Sequence, residues 1–155
     1  MISTRDFTTG TTMASAASPA DPRAPMLAVL PGTPESARAA RQLARELLGD
    51  EHPAIETTML LISELVTNSV MHSRSGEPGG RVTVVLCAGR AGILIQVSDD
   101  GGPSEPCVSV ISAADAEHGY GLLLVDALAE RWGSICSPEG RVTWCRVSGT
   151  GVTKV

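Results

Sequence analysis

Aromatic residues make up only 3% of this 155-residue chain, so Leu, Val, Ile and Ala must fill whatever core it builds. Lysine is almost missing. Lys154 is the only one, the arginines are scattered, and the net charge is −5, which excludes the basic footprint of a direct nucleic-acid binder. No apolar run approaches the ~20 residues that cross a bilayer, so no membrane segment is expected. A secretory signal needs a basic start and then an apolar block. Here Arg5 is followed by Thr-rich polar sequence, against that reading. Cys87, Cys107, Cys136 and Cys145 contain no C-x-x-C spacing, which disfavours zinc. Their even number permits two disulfides, but a chain that is 43% apolar does not need them. Reduced thiols and a cytoplasmic location are the expectation. A G-x-x-x-x-G-K-[ST] loop is also missing, so any phosphate site must be of another kind.

The length suits one domain. Thr8 to Pro25 is dominated by Thr, Ala, Ser, Pro and Gly, so residues 1–25 read as a flexible leader. Residues 26–148 form the expected domain, large enough for one core, and 149–155 a tail. Met26 to Leu30 reads as a strand. Thr33 suits an N-cap with Pro34 at the first helical position, opening a helix that stops at Gly49. Its Ala40, Leu43, Ala44 and Leu47 make the buried stripe. Arg38, Arg41 and Arg45 cluster on another face, either solvated or facing a partner. A second helix runs from Pro53 to near Ser73, and Ser75 to Gly80 is a loop. Arg81 to Ala88 and Ile93 to Ser98 alternate as a hairpin. Gly101 to His118 lacks a convincing period, save a helical turn around Ser112 to Ala116, and a loop of that length is usually functional, often a lid. Gly119 to Ala129 is a third helix with Leu122, Val125 and Leu128 among its buried positions. Trp132 to Cys136 and Val142 to Val147 are the last strands. The expected class is α+β, a two-layer α/β sandwich with a mostly antiparallel sheet covered on one face by helices, plus the lid.

The second helix carries the most informative stretch, Glu64-Leu65-Val66-Thr67-Asn68. Residues four apart share a helix face, while Met59, Ile62, Val66 and Val70 stripe the opposite side. A carboxylate and a carboxamide are thus set one turn apart in an otherwise mostly apolar run. Both are costly to bury unpaired. Glu offers a base or a charge, and Asn a carbonyl oxygen that can hold a hard cation such as magnesium. One E-x-x-x-N is a common accident. Two more elements follow in order. Asp99-Asp100-Gly101-Gly102 is an acidic turn after a strand, where a carboxylate can accept from an exocyclic amine such as that of adenine; Asp100 can do so if the register is off by one. His118-Gly119-Tyr120-Gly121-Leu122 opens a helix whose free N–H groups suit phosphate. Together the three point to an ATP site.

These stretches resemble the GHKL ATPases, the family of gyrase, the heat-shock chaperones, sensor histidine kinases and mismatch-repair ATPases. Glu64 to His72 looks like the N-box, Asp99-Asp100-Gly101 the G1 box, and Gly119-Tyr120-Gly121-Leu122 the G2 box. Within the family the chain is most similar to the small anti-sigma-factor serine kinases of actinobacteria, through Gly121 to Gly133 and Trp144. The resemblance covers about Met26 to Val147. It implies that Asn68 coordinates Mg²⁺, that Glu64 is the general base, and that Asp99 reads the adenine amine. It also implies that Gly101, Gly119 and Gly121 contact adenine or phosphates, with Tyr120 and Leu122 beside them, and that His72 lies near the triphosphate. ATP and Mg²⁺ are the implied cofactors, and a sigma factor and an anti-anti-sigma protein the implied partners. Members of the branch often form homodimers. Two departures stand out. Position 103 is Pro where the family continues D-x-G-x-G, and no Arg or Lys lies between Arg90 and Arg131, where the anti-sigma kinases commonly place a lid arginine; His118 can stand in if protonated. These departures motivate an alternative, a nucleotide-binding interaction module without kinase activity.

Overall fold

The computed structural model describes residues 23–102, 110–111 and 120–151. In chain order these form β1 (Met26–Pro31), α1 (Ser36–Leu48), α2 (Ile55–His72), a 3₁₀ turn (Arg74–Gly76), β2 (Arg81–Gly89), β3 (Gly92–Asp99), β4 (Val110–Ile111), α3 (Tyr120–Leu128), β5 (Arg131–Ser137) and β6 (Gly140–Val147). The strands make one six-stranded sheet, ordered β1-β2-β3-β6-β5-β4, and every pairing is antiparallel. The architecture is the expected two-layer α+β sandwich.

The alternation in the strands decides which face the helices cover. Val82, Val84 and Leu86 of β2, Ile93, Ile95 and Val97 of β3, and Cys145 and Val147 of β6 are buried on one face, as the two-residue period requires. Their register partners line up across the strands: Leu86 opposes Ile95, and Ile95 opposes Cys145. Burial pushes the Cys145 thiol up to about 12, so it is a small core residue rather than a reactive group.

α2 is the centre of the helical layer. It packs on α1, on α3 and on β2, β3 and β6. That is why its buried set is broader than a simple stripe: Ile55, Thr58, Met59, Leu61, Ile62, Leu65, Val66, Ser69 and Val70. Full burial of each large aliphatic side chain contributes roughly 1.5–3 kcal/mol. α1 buries the expected Ala40, Leu43, Ala44 and Leu47 and ends as expected at Gly49. There φ is 82° and the N–H bonds Arg45 O, a conformation that favours glycine. α3 buries Val125 fully, with Leu128 packed against the core. It is pinned to β5 by Trp132, whose Nε1 donates to Asp126 Oδ1 at 3.0 Å.

Three local expectations need correction. α1 starts at Ser36, not beside Thr33. Thr33 to Glu35 form a tighter turn in which the N–H groups of Ser36, Ala37 and Arg38 bond the carbonyls three residues back. No side chain caps the helix, and the Ser36 hydroxyl donates to Pro31 O instead. α2 starts at Ile55 rather than Pro53. His52 supplies the start: its Nδ1 accepts from Ala54 N–H at 3.1 Å and its carbonyl from Ile55 N–H at 2.9 Å. Finally, β4 lies inside the segment without a period; two residues are too short to show one. The helical turn anticipated at Ser112 to Ala116 lies outside the described residues.

His52 is held below its ordinary 6.5, first by desolvation and then by repulsion from Arg23. A depressed histidine pKa means that the neutral ring favours the fold, and that this contribution is fully present above 6.5 and lost as pH falls through the folded value. Protonation would also remove the Nδ1 acceptor used by Ala54. Chemical denaturation from pH 7 towards pH 5 should therefore show wild type losing stability faster than His52→Asn, which keeps an acceptor but does not titrate. Parallel pH curves for the two proteins would refute the assignment.

Candidate functional site

Glu64 and Asn68 stand one turn apart on α2, both half-buried, because the residues around them supply the helix's packing. Neither side chain has a hydrogen bond or ion pair with any described residue. Next to them Ser63 is engaged: its hydroxyl donates to Met59 O at 2.7 Å and accepts from Arg41 Nη1 at 3.0 Å. Polar groups this sheltered usually have partners, so the Glu64–Asn68 pair is set up for something outside the helix. His72 is exposed in the last turn of α2, where a positive charge complements the helix dipole.

Asp99 closes β3 on the helix-covered side of the sheet. Its side chain has no solvent exposure. Oδ1 accepts from Gly101 N–H at 2.8 Å, and Oδ2 accepts from Arg141 Nε at 3.2 Å and Nη2 at 2.9 Å. The buried charge is thus paired, as burial demands. Gly101 makes the short turn possible at φ +73°, in the left-handed region open to glycine. Gly140 opens β6 against the carbonyl of Asp99, where any Cβ would collide with it. Asp100 is exposed.

The loop after Asp99 is held by the 3₁₀ turn that follows α2. Arg74 donates to Asp100 O at 2.6 Å and to Gly102 O at 3.3 Å, and its backbone N–H bonds Gly101 O at 2.7 Å. The buried Ser75 hydroxyl accepts from Asp100 N–H at 2.9 Å and lies 3.2 Å from Asp100 Oδ2. The end of the Glu64/Asn68 helix and the Asp99 turn are therefore one hydrogen-bonded unit.

Tyr120 starts α3, with Gly121 and the half-buried Leu122 in its first turn. Gly119 and His118 lie outside the described residues, so the phosphate-facing part of the expected site is described only from Tyr120 onward. Among the described residues no group of three or more His, Cys, Asp or Glu side chains could hold a metal ion. On the outer side of α1, Glu35, Arg38, Ala39, Arg41, Gln42 and Arg45 line an open groove of about 580 Å³. Arg45 there pairs with Asp50 at 3.4 Å.

Sequence reasoning missed Arg74, Ser75, Gly140 and Arg141. No pattern in the sequence marks them: Arg141 comes opposite Asp99 only through the β3–β6 register. Replacing Ser75 by Ala should free the Asp100 amide. We expect its hydrogen exchange to speed up, with a global loss of about 0.5–1.5 kcal/mol for the hydrogen bond removed. An unchanged exchange rate at Asp100 would show that the turn holds itself.

The histidine kinase-like ATPase domain profile matches residues 30–147, from the end of β1 through β6. Among solved structures, that of the RsbU and RsbW domains of Rv1364c from Mycobacterium tuberculosis matches with a TM-score of 0.61 and 22% identity. The match covers 86% of this chain but 34% of that one, so this chain spans about a third of its length. At that identity the likeness speaks for the fold. No curated protein matches the chain. The family match takes in the whole described sheet-and-helix unit beyond β1, and the chain belongs to the histidine kinase-like ATPase domain family.

Proposed function

We propose that residues 26–148 are an Mg-ATP-binding regulatory domain acting in the cytoplasm as an anti-sigma factor, with serine kinase activity towards an anti-anti-sigma protein. The observation that carries this reading is the Glu64–Asn68 pair, half-buried on a packed helix with both side chains unpartnered among the described residues. The donor set fits magnesium. One carboxamide oxygen is too few for a protein-only cage, but magnesium commonly takes one or two protein ligands and fills its shell with phosphate oxygens and water. No helix of the described residues is long and apolar enough to cross a membrane.

In this reading bound Mg-ATP would supply the γ-phosphoryl group and leave as Mg-ADP, with the cation offsetting the phosphate charge. Asn68 presents its carbonyl oxygen to the cation. A carboxylate oxygen of Glu64 accepts the proton of the attacking serine hydroxyl on the partner. Asp99, held by Arg141 and Gly101, presents its remaining acceptor capacity to the adenine amine. His72, Gly101, Gly119, Tyr120, Gly121 and Leu122 complete the nucleotide contacts. Phosphoryl transfer of this kind relies on positioning and electrostatics. The open α1 groove, with Arg38, Arg41 and Arg45, is a surface for an acidic partner.

A second reading, nucleotide binding without transfer, is favoured by one specific feature. No Arg or Lys occurs between Arg90 and Arg131, and the two arginines nearest the Asp99 turn, Arg74 and Arg141, are both committed to protein acceptors. A cation on the transferred phosphoryl can be worth orders of magnitude in rate.

Two measurements separate the readings. Calorimetry should detect Mg-ATP binding to wild type that is lost in Asp99→Asn and weakened at least about tenfold in Asn68→Ala. Radiolabelled ATP with candidate serine-bearing partners should give a phosphoprotein with wild type, and at least about a hundredfold less with Glu64→Ala. Binding without transfer, equal in wild type and Glu64→Ala, would leave the interaction module. Absence of nucleotide binding would sink both.

A further inference from the structure

The described helices cover one face of the sheet and leave the other to the strands alone. Strand alternation puts Leu27 and Val29 of β1, Val85 of β2, Leu94 of β3, Trp144 of β6 and Ile135 of β5 on that outer face. Leu27, Val29 and Ile135 are 43%, 52% and 46% exposed. The register gathers these positions: Leu27, Val85, Gln96, Trp144 and Gly133 form one row across five strands. The indole of Trp144 lies over Gly133, where a Cβ would stand 3.2 Å from its ring atoms. That ring is only half-buried, and its Nε1 has no acceptor among the described residues.

The charge on this face has one sign. The chain carries a net charge of −5, yet the outward positions of the described strands hold no Asp or Glu. They hold Arg81, Arg131 and Arg146. Arg131 and Arg146 are exposed and stand directly opposite each other on β5 and β6, with Leu94 next in their row. Neither guanidinium has an ion pair or hydrogen bond with a described residue. Like charges directly opposite on neighbouring strands are destabilising, and an anion between them removes that penalty. Trp and Arg are also the side chains over-represented at the energetic centres of interfaces. A second copy of the same face brings only further arginines against these two. Lipid surfaces and nucleic acids are bound through larger basic clusters, whereas here the apolar area outweighs three charges.

We propose that the outer sheet face, centred on Trp144, docks an acidic, leucine-bearing segment of a partner protein. A carboxylate of the segment bridges Arg131 and Arg146, and an aliphatic side chain covers Trp144 and Leu94. This surface lies across the sheet from the helical layer. It is therefore open while the α1 groove is engaged, and it does not depend on the nucleotide reading.

The test measures fluorescence anisotropy of a labelled Glu-Glu-Leu-Leu repeat peptide with the full chain, beside Lys-Lys-Leu-Leu and Glu-Glu-Ser-Ser repeats. Wild type should bind the first at least about tenfold more tightly than either of the others, because the face asks for both charge and apolar contact. Binding should weaken as salt rises and should be the same with and without Mg-ATP. Arg131→Glu/Arg146→Glu, with folding checked by circular dichroism, should invert the preference towards the Lys-bearing peptide. If that double variant does not fold, Arg146→Gln decides, and an affinity in it equal to wild type overturns the proposal. Equal binding of all three peptides, or of none, overturns it too. So does binding to phosphatidylserine vesicles or to an oligonucleotide in place of the peptide. Sedimentation showing a wild-type dimer that Ile135→Glu dissociates would assign the face to a second copy and overturn it as well.

Discussion

The structure depends on one helix being asked to do two incompatible things. α2 is wedged between α1, α3 and the sheet, and Leu61, Ile62, Leu65 and Val66 have no solvent exposure at all. Half of the helix's residues are buried, and polar groups are unfavourable to bury without partners. Yet Glu64 and Asn68 remain, half-buried and unpartnered among the described residues. The packing of Leu65 and Val66 between them fixes the helix rigidly. Side chains on a rigid element are positioned more precisely than those on a loop. The same burial that stabilises the domain thus gives the pair its fixed geometry.

The second constraint is the enclosed carboxylate at the end of β3. Asp99 cannot sit there alone, and the fold supplies its counter-charge from β6, the strand hydrogen-bonded to β3. Arg74 and Ser75 then fasten the following turn to the end of α2. The carboxylate turn and the Glu64–Asn68 helix are linked through hydrogen bonds to backbone carbonyls and amides, which depend little on the side chains of residues 100–102. This explains how a chain with Pro at position 103 can still hold the turn: its anchors lie before that residue. It also places two arginines close to the site while leaving neither of them unengaged.

Much of this was legible in the chain. The alternation in Arg81 to Ala88 and Ile93 to Ser98 identified the central hairpin, because a half-buried strand has a side-chain period of two. Gly49 marked the end of α1, since its left-handed φ excludes most other residues. Glu64 and Asn68 were visible as polar interruptions at helical spacing. What escaped were particular side-chain contacts, local ones among them, which residue types and periods do not display. Thr33 and Pro34 carried a good helix-start signal, yet Ser36 found a better acceptor in the Pro31 carbonyl and the helix began later. His52 carried no start signal at all, but its ring nitrogen reached the Ala54 amide.

The residue types and their periods therefore determined by themselves the layers, the strands, the helix that holds Glu64 and Asn68, and the family they resemble. These depend on local spacing, which a linear chain displays directly. Only the tertiary structure decided that Arg141 faces Asp99, that Arg74 and Ser75 clamp the turn, and that Asp99 rather than Asp100 faces the helical layer. Each of those outcomes requires strands or loops separated by tens of residues to meet in one particular register, and register is set by the packing of the whole sheet.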